Sequence, residues 1–166
     1  MLRCGLVLVL LWVAGAAAAC PNLGSAAKHQ FFSTRQLIDP KVTPVRAGGT
    51  VLLEFCETIP GNGNIPFDPS IGIYYTADKK RMDLELRTAG DCDTVLLIRS
   101  PSGRWFFDDD NGDGRNARLR IGGPREGRYE IWVGSNGGVA CPSLLVLQSF
   151  RSVTRLAEID ARRGRI

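Results

Sequence analysis

The residues with the clearest potential for chemistry form an acidic loop. The stretch from Asp109 to Gly114 reads Asp-Asp-Asn-Gly-Asp-Gly and directly follows Asp108. Clustered carboxylate and amide oxygens are the hard ligands that Ca²⁺ prefers. The order matches the opening of an EF-hand loop. However, the twelfth position is Arg120, where an EF-hand needs a bidentate glutamate, so an EF-hand is excluded.

Two interpretations of this loop stay open on sequence alone. In the first, a calcium site of another kind uses the oxygen-bearing residues Asp108, Asp109, Asp110, Asn111 and Asp113. In the second, the loop is an Asx-rich turn whose carboxylates accept backbone N–H groups, and nearby arginines relieve their mutual repulsion. Calcium is the one cofactor that the sequence suggests.

Catalysis has little support in the sequence. His29 is the one histidine, so a Ser-His-Asp or Cys-His mechanism would have to use it. The chain contains no HExxH motif, no GxSxG motif and no glycine-rich phosphate loop. Its clustered carboxylates lie in one short loop, whereas a glycosidase needs two that face each other across a cleft. We therefore expect a protein that is not an enzyme.

Two tryptophans are candidates for ligand contact. Trp132 alternates with Ile131 and Val133, which places it on the opposite face of its predicted strand, and Trp105 begins an aromatic run. Exposed aromatic rings on a sheet can stack on sugars, whereas buried ones pack a core. Trp105 and Trp132 are predicted as ligand-binding residues, with core packing as the alternative.

The N-terminus has the order of a secretory signal peptide. Arg3 precedes the apolar run Leu6–Val13, and small residues fill positions 14–19. The apolar run is too short to cross a bilayer, which takes about 20 residues. Residues 1–19 are therefore predicted to be a cleaved signal peptide, which implies a secreted or periplasmic protein.

Four cysteines remain after the predicted cleavage: Cys20, Cys56, Cys92 and Cys141. An even set in an oxidising compartment predicts two disulfides. Four cysteines allow three pairings, and the sequence does not choose among them. The alternative is that Cys20 is a lipidation site. The chain would then be a structural envelope lipoprotein of the outer membrane, and only in that case would it have a membrane partner.

Short strands at intervals of about ten residues must position these groups. Strict alternation of apolar and charged residues in Met82–Arg87 predicts an antiparallel strand with one buried and one solvated face. Similar runs separated by turn signals predict a β-sandwich. Residues 20–48 are predicted to be irregular, 49–148 to form the sandwich, and 149–166 to be a basic tail with a short helix.

The formal net charge of +4 is small, and no basic stripe is concentrated enough to predict a nucleic-acid partner.

Four pieces of sequence, in order, carry a family resemblance. They are Asp93-Thr94-Val95-Leu96, the turn Pro101-Ser102-Gly103, the pair Asp108-Asp109, and Gly127-Arg128-Tyr129-Glu130-Ile131-Trp132-Val133. This ladder, from about Gly48 to Gln148, resembles the bacterial pre-peptidase C-terminal domain family, whose pattern runs D-T-x-L, P-x-G, D-D and G-x-Y-x-[IV]-x-V.

The resemblance implies an all-β, jelly-roll-like antiparallel sandwich, to which the sequence adds a short C-terminal helix. It also implies a non-catalytic extracytoplasmic binding or accessory module, with a protein or a polysaccharide as ligand. Because some members bind calcium, it is consistent with a calcium-stabilised loop.

Overall fold

The computed structural model describes residues 20–24, 26 and 28–152, and these form eleven strands. In chain order the strands are β1 (His29–Ser33), β2 (Lys41–Ala47), β3 (Val51–Leu52), β4 (Asn64–Ile65), β5 (Ile71–Thr76), β6 (Met82–Gly90), β7 (Thr94–Arg99), β8 (Trp105–Asp108), β9 (Arg118–Ile121), β10 (Gly127–Ser135) and β11 (Cys141–Arg151). Two single 3-10 turns, at Leu53–Phe55 and Asn136–Gly138, are the helical elements of this part of the chain. The prediction of an all-β fold is confirmed.

The strands form two sheets. Sheet A has seven strands: β1, β5, β10, β4 and β3 lie side by side in that order, and β7 and β8 extend from β10. Sheet B has the order β2-β11-β6-β9. All the strand pairs are antiparallel except β1 with β5, which are parallel. The predicted antiparallel sandwich is thus confirmed, with one parallel pair at an edge.

The core between the sheets follows from the alternation in the strands. Along β10, Tyr129, Ile131 and Val133 face sheet B and are buried. Leu84 and Leu86 of β6 meet them from the other sheet. Burial of each such side chain contributes about 1.5–3 kcal/mol, so this layer holds the two sheets together.

A second apolar cluster covers part of the outer face of sheet A. Trp132 and Leu97 lie at its base, and Val51, Leu53 and Ile65 cover them. Within the apolar run Thr50–Cys56, only Val51–Leu52 pairs as a strand. The chain then bends into a 3-10 turn, in which the Cys56 amide donates to the Leu53 carbonyl at 2.9 Å. The bend lets this short segment fold down over the sheet.

The prediction that residues 20–48 are irregular is wrong, because β1 and β2 lie within them. Pro44 lies in β2, which is an edge strand of sheet B, and an edge strand tolerates a residue without an N–H.

The predicted tail also begins as a strand, since β11 continues to Arg151. The predicted C-terminal helix from residue 153 onward and the signal peptide at 1–19 lie outside the described residues. Within the described ranges, no helix is long and apolar enough to cross a membrane.

Two tyrosines in the core carry polar ends that the fold satisfies. Their rings pack edge to face, with centroids 6.2 Å apart. The Tyr129 hydroxyl donates to the Arg125 carbonyl at 2.8 Å, and the Tyr75 hydroxyl shares a 2.7 Å hydrogen bond with Thr34. Burial raises the pKa of Tyr129 to about 12, and it also raises the pKa of Tyr75.

We expect alkaline pH to destabilise the fold through these tyrosines. The tyrosine pKa is 10.0 in the unfolded chain and about 12 at Tyr129 in the folded one. Between these values the folded state keeps a proton that the unfolded state releases, so stability is full below pH 10.0 and falls as pH rises to about 12. Urea midpoints measured from neutral pH upward should show this fall, and Tyr129→Phe should make it shallower. An equal slope in Tyr129→Phe would contradict the prediction.

Candidate functional site

Asp108 ends strand β8 and organises the acidic loop. Its carboxylate is buried and accepts hydrogen bonds from the main-chain amides of Asn111, at 3.1 Å, and Arg118, at 2.8 Å. It also accepts one from the side-chain amide of Asn111. Both carboxylate oxygens are therefore used inside the loop, as the Asx-turn interpretation of the sequence predicts.

Asn116, which sequence reasoning missed, fixes the loop to the rest of the sandwich. Its side-chain oxygen accepts from the Gly90 amide at 3.0 Å and from the Thr94 hydroxyl at 3.2 Å. Its amide nitrogen donates to the Asp113 carbonyl at 3.0 Å. A Cβ at Gly112 would lie 2.3 Å from the Asn116 carbonyl oxygen, so the tight loop requires glycine there. An asparagine within an Asx-rich stretch was the available signal.

The predicted calcium ligands do not converge in this structure. Asp110, Asn111 and Asp113 are exposed, while Asp108 is turned toward the loop's own amides. Within the described part of the chain, no group of three or more His, Cys, Asp or Glu side chains is arranged to hold a metal ion. Calcium binding therefore stays a prediction from the sequence.

All four cysteines that the sequence predicted to form disulfides do so, and the structure shows which of the three possible pairings they adopt. Cys20 pairs with Cys56, and Cys92 pairs with Cys141, with Cα atoms 5.6 and 6.2 Å apart. The first ties the N-terminal segment to the layer that covers sheet A. The second ties the turn between β6 and β7 to the start of β11. Because lipidation would consume the Cys20 thiol, a lipid anchor and the Cys20–Cys56 disulfide exclude each other.

The Trp132 side chain is not accessible to a ligand. It lies on the face opposite Tyr129, as the alternation predicts, but it is 0% exposed because the second apolar cluster covers that face. The prediction of Trp132 as a ligand-binding residue is therefore wrong, and core packing holds instead. Trp105 lies against it, with ring centroids 5.5 Å apart, and stays half-buried at the end of the cover.

The cover leaves another part of the outer face of sheet A uncovered. We name this part the aromatic face, and it consists of the two rows of residues given next. Strand register sets Phe31 beside Tyr74 and Tyr74 beside Arg128 in one row. The adjacent row runs across five strands through His29, Gly72, Glu130, Arg99 and Trp105.

Two exposed rings form the most prominent feature of the aromatic face. Phe31 is 71% exposed and Tyr74 is 39% exposed. Their rings are stacked, with centroids 5.0 Å apart and planes 8° apart. The centroid of the His29 ring lies 5.4 Å from that of the Tyr74 ring. Sequence reasoning missed this pair, because the segment that holds Phe31 was expected to be irregular.

A buried carboxylate anchors the second row of the aromatic face. The Glu130 side chain is only 3% exposed, and its Oε1 lies 2.8 Å from Arg128 Nε and 3.8 Å from His29 Nε2. Its Oε2 accepts from the Ala26 amide at 3.1 Å. These partners offset the cost of burying the charge. A Cβ at Gly72 would lie 2.5 Å from the His29 ring, so the absence of a side chain at Gly72 leaves room for this ring.

The outer face of sheet B carries a polar cleft of about 360 Å³. Its floor comes from β6 and β11, and the acidic loop forms one wall. Among the described residues, the aromatic face has a smaller recess of about 170 Å³, bounded by Arg99, Pro101, Arg128 and Glu130. The two faces lie on opposite sides of the sandwich.

No family model matches this chain, and no curated protein matches its sequence. Among solved structures, it resembles the pre-peptidase C-terminal domain of a collagenase from Bacillus anthracis, with a TM-score of 0.40, 9% identity, and coverage of 76% of this chain and 99% of that one. It also resembles Aeromonas hydrophila PliG, a periplasmic inhibitor of g-type lysozyme, with a TM-score of 0.37, 12% identity, and coverage of 74% and 98%. Likenesses with TM-scores below 0.5 define neither a family nor a function for this chain.

We expect Asp108→Ala to lower the free energy of unfolding by about 2–3 kcal/mol, because it leaves amide donors of the acidic loop without their acceptor. Asp110→Ala is the matched control, since Asp110 is exposed in the same loop. Thermal melts in calcium and in chelator should show the same loss for Asp108→Ala. A loss confined to calcium would instead assign Asp108 to a metal site.

The mature protein is expected to begin at Cys20 without a lipid. Non-reducing peptide mapping by mass spectrometry should recover Cys20 linked to Cys56 and Cys92 linked to Cys141. A diacylglyceryl mass on Cys20, together with a free Cys56 thiol, would contradict this and establish the lipoprotein alternative.

Proposed function

We propose that this chain is a non-catalytic, extracytoplasmic binding module that contacts a protein partner through the aromatic face. The observation that carries the proposal is the exposed Phe31–Tyr74 stack beside the buried Glu130 carboxylate and its partner Arg128. An extracytoplasmic setting is supported by the predicted signal peptide and by the two disulfides, which persist in oxidising compartments.

The composition of the aromatic face is that of a protein-binding surface. Tyrosine, tryptophan and arginine are enriched among the residues that contribute most to the affinity of protein complexes. Tyr74, Arg128 and Arg99 lie on adjacent strands here, with Trp105 at the end of the row. The stack of Phe31 on Tyr74 already orders both rings, so these two side chains lose less conformational entropy when a partner binds them.

The shape of the aromatic face favours a protein over a small molecule. Pockets for small ligands usually measure about 300–1,000 Å³, whereas the recess on this face is about 170 Å³. Arg99 adds a positive charge to the recess, and an acidic side chain on the partner would be complementary to it.

The chemistry of the described residues supports a role without catalysis. The His29 ring packs over Gly72, next to the buried Glu130 carboxylate. The four cysteines between residues 20 and 152 are oxidised and so supply no thiolate nucleophile. The described residues therefore contain no free cysteine thiol that a histidine base could activate for covalent catalysis.

Photo-crosslinking tests this proposal. A photoreactive phenylalanine analogue at position 31, in protein exported by its own cells, should yield a covalent adduct with a defined protein. The same analogue at position 55 is the matched control, because Phe55 is 62% exposed but lies on the layer that covers sheet A. We expect no such adduct from position 55.

Affinity measurements with the purified adduct partner complete the test. Phe31→Ala should weaken binding about 30-fold, the effect of losing a hot-spot residue, and should leave the melting temperature unchanged because Phe31 is exposed. Equal adducts from positions 31 and 55, adducts with polysaccharide alone, or undiminished affinity of Phe31→Ala would overturn the proposal.

A further inference from the structure

The cleft on sheet B has the size of a site for a small ligand. Its volume of about 360 Å³ lies within the usual range of about 300–1,000 Å³ for such sites. It shares no lining residue with the aromatic face, and it lies on the other sheet. Any role for it therefore goes beyond the protein-binding function proposed above.

The floor of the cleft is held in place by side-chain hydrogen bonds. The Arg87 guanidinium donates to Glu85 Oε1 at 3.1 Å and to Gln148 Oε1 at 3.2 Å. The Glu85 side chain is only 10% exposed. The sequence had predicted Glu85 on a solvated face, but the cleft walls and Arg87 enclose it. A preformed floor lowers the entropy that a ligand would lose on binding.

The wall of the cleft is equally ordered. Asn116 fixes the acidic loop to Gly90 and Thr94, and Asp108 closes the loop from the other side. Asp113 and Arg118 line the cleft from this loop and from the start of β9. Both sides of the cleft are thus set by contacts within the protein.

The charges of the cleft are only partly satisfied. Arg87 and Arg118 lie directly opposite each other in the β6–β9 register, an arrangement of like charges that is destabilising by itself. Glu85 compensates Arg87. Among the residues that the structure describes, the exposed Arg118 guanidinium and Asp113 carboxylate have no hydrogen-bond or ion-pair partner. The cleft therefore offers one guanidinium group that can donate hydrogen bonds and one carboxylate group that can accept them.

We propose that this cleft binds a residue of a neutral sugar. Two arginines in the lining oppose a cation, and two carboxylates oppose a phosphate, a sulfate or a uronic acid. A sugar hydroxyl both donates and accepts, so neighbouring hydroxyls match Asp113 as acceptor and Arg118 as donor. Phe150 adds an apolar surface for the sugar's C–H groups, and Arg120 stacks on its ring at 5.0 Å.

An NMR titration tests the sugar site. The probes are neutral trisaccharides of glucose, galactose, mannose and N-acetylglucosamine, with trigalacturonate as the acidic comparison. We expect at least one neutral probe to shift the amide signals of Gly112, Asp113, Asn116 and Arg118 in a saturable way. Trigalacturonate should produce smaller shifts, because Glu85 and Asp113 balance the two arginines of the lining and leave no net positive charge to attract its carboxylates.

Variants separate this site from general surface binding. Asp113→Asn and Arg118→Gln should each weaken the binding of the shifting probe at least tenfold, while both keep a folded spectrum. Asp110→Asn is the matched control, because Asp110 belongs to the same loop but does not line the cleft. The proposal is overturned by the absence of saturable shifts at about 10 mM probe, tenfold above the Kd of a ~1 mM complex. Preference for trigalacturonate, or an equal effect of Asp110→Asn, would overturn it as well.

Discussion

Burial of both faces of strand β10 is the constraint on which the rest of the structure depends. One face of β10 meets sheet B through Tyr129, Ile131 and Val133, as in any sandwich. The other face carries Trp132, and a tryptophan in the middle of a seven-stranded sheet needs an apolar cover. Residues 51–65 supply it, and they approach closely because β10 has glycine at position 134, where a Cβ would lie 2.4 Å from the Asn64 carbonyl oxygen. Where this cover ends, the aromatic face begins.

The same constraint explains why a charge is buried at the boundary of the cover. Glu130 lies one alternation before Trp132 on β10 and is nearly as buried, so it needs partners within the protein. Arg128, on the same strand, and the Ala26 amide provide them. The N-terminal segment that carries Ala26 is in turn fixed by the Cys20–Cys56 disulfide and by the Asn22 amide, which donates to the Phe67 carbonyl at 2.7 Å. Cover, disulfide and buried ion pair form one connected unit.

The local patterns of the sequence predicted much of the fold. Strand β6 begins where alternation in Met82–Arg87 placed it, and the turn Pro101-Ser102-Gly103 joins the paired strands β7 and β8, because such signals depend on neighbouring residues alone. The even number of cysteines predicted two disulfides, but their pairing depends on which loops meet in space. Likewise, β1 owes its place to pairing with β5, forty residues away, and Trp132 is buried by a third layer that its own strand does not reveal. The aromatic face was missed because each of its rows assembles from strands distant in sequence.

The two candidate surfaces lie on opposite sheets, with the apolar core of the sandwich between them. A small ligand in the cleft would therefore leave the aromatic face accessible. On the two proposals made above, the molecule would act as an adaptor that attaches a protein to a glycan without either displacing the other. The sheets of a sandwich lie about 10 Å apart, and the side chains on their outer faces add to the distance at which it would hold the two.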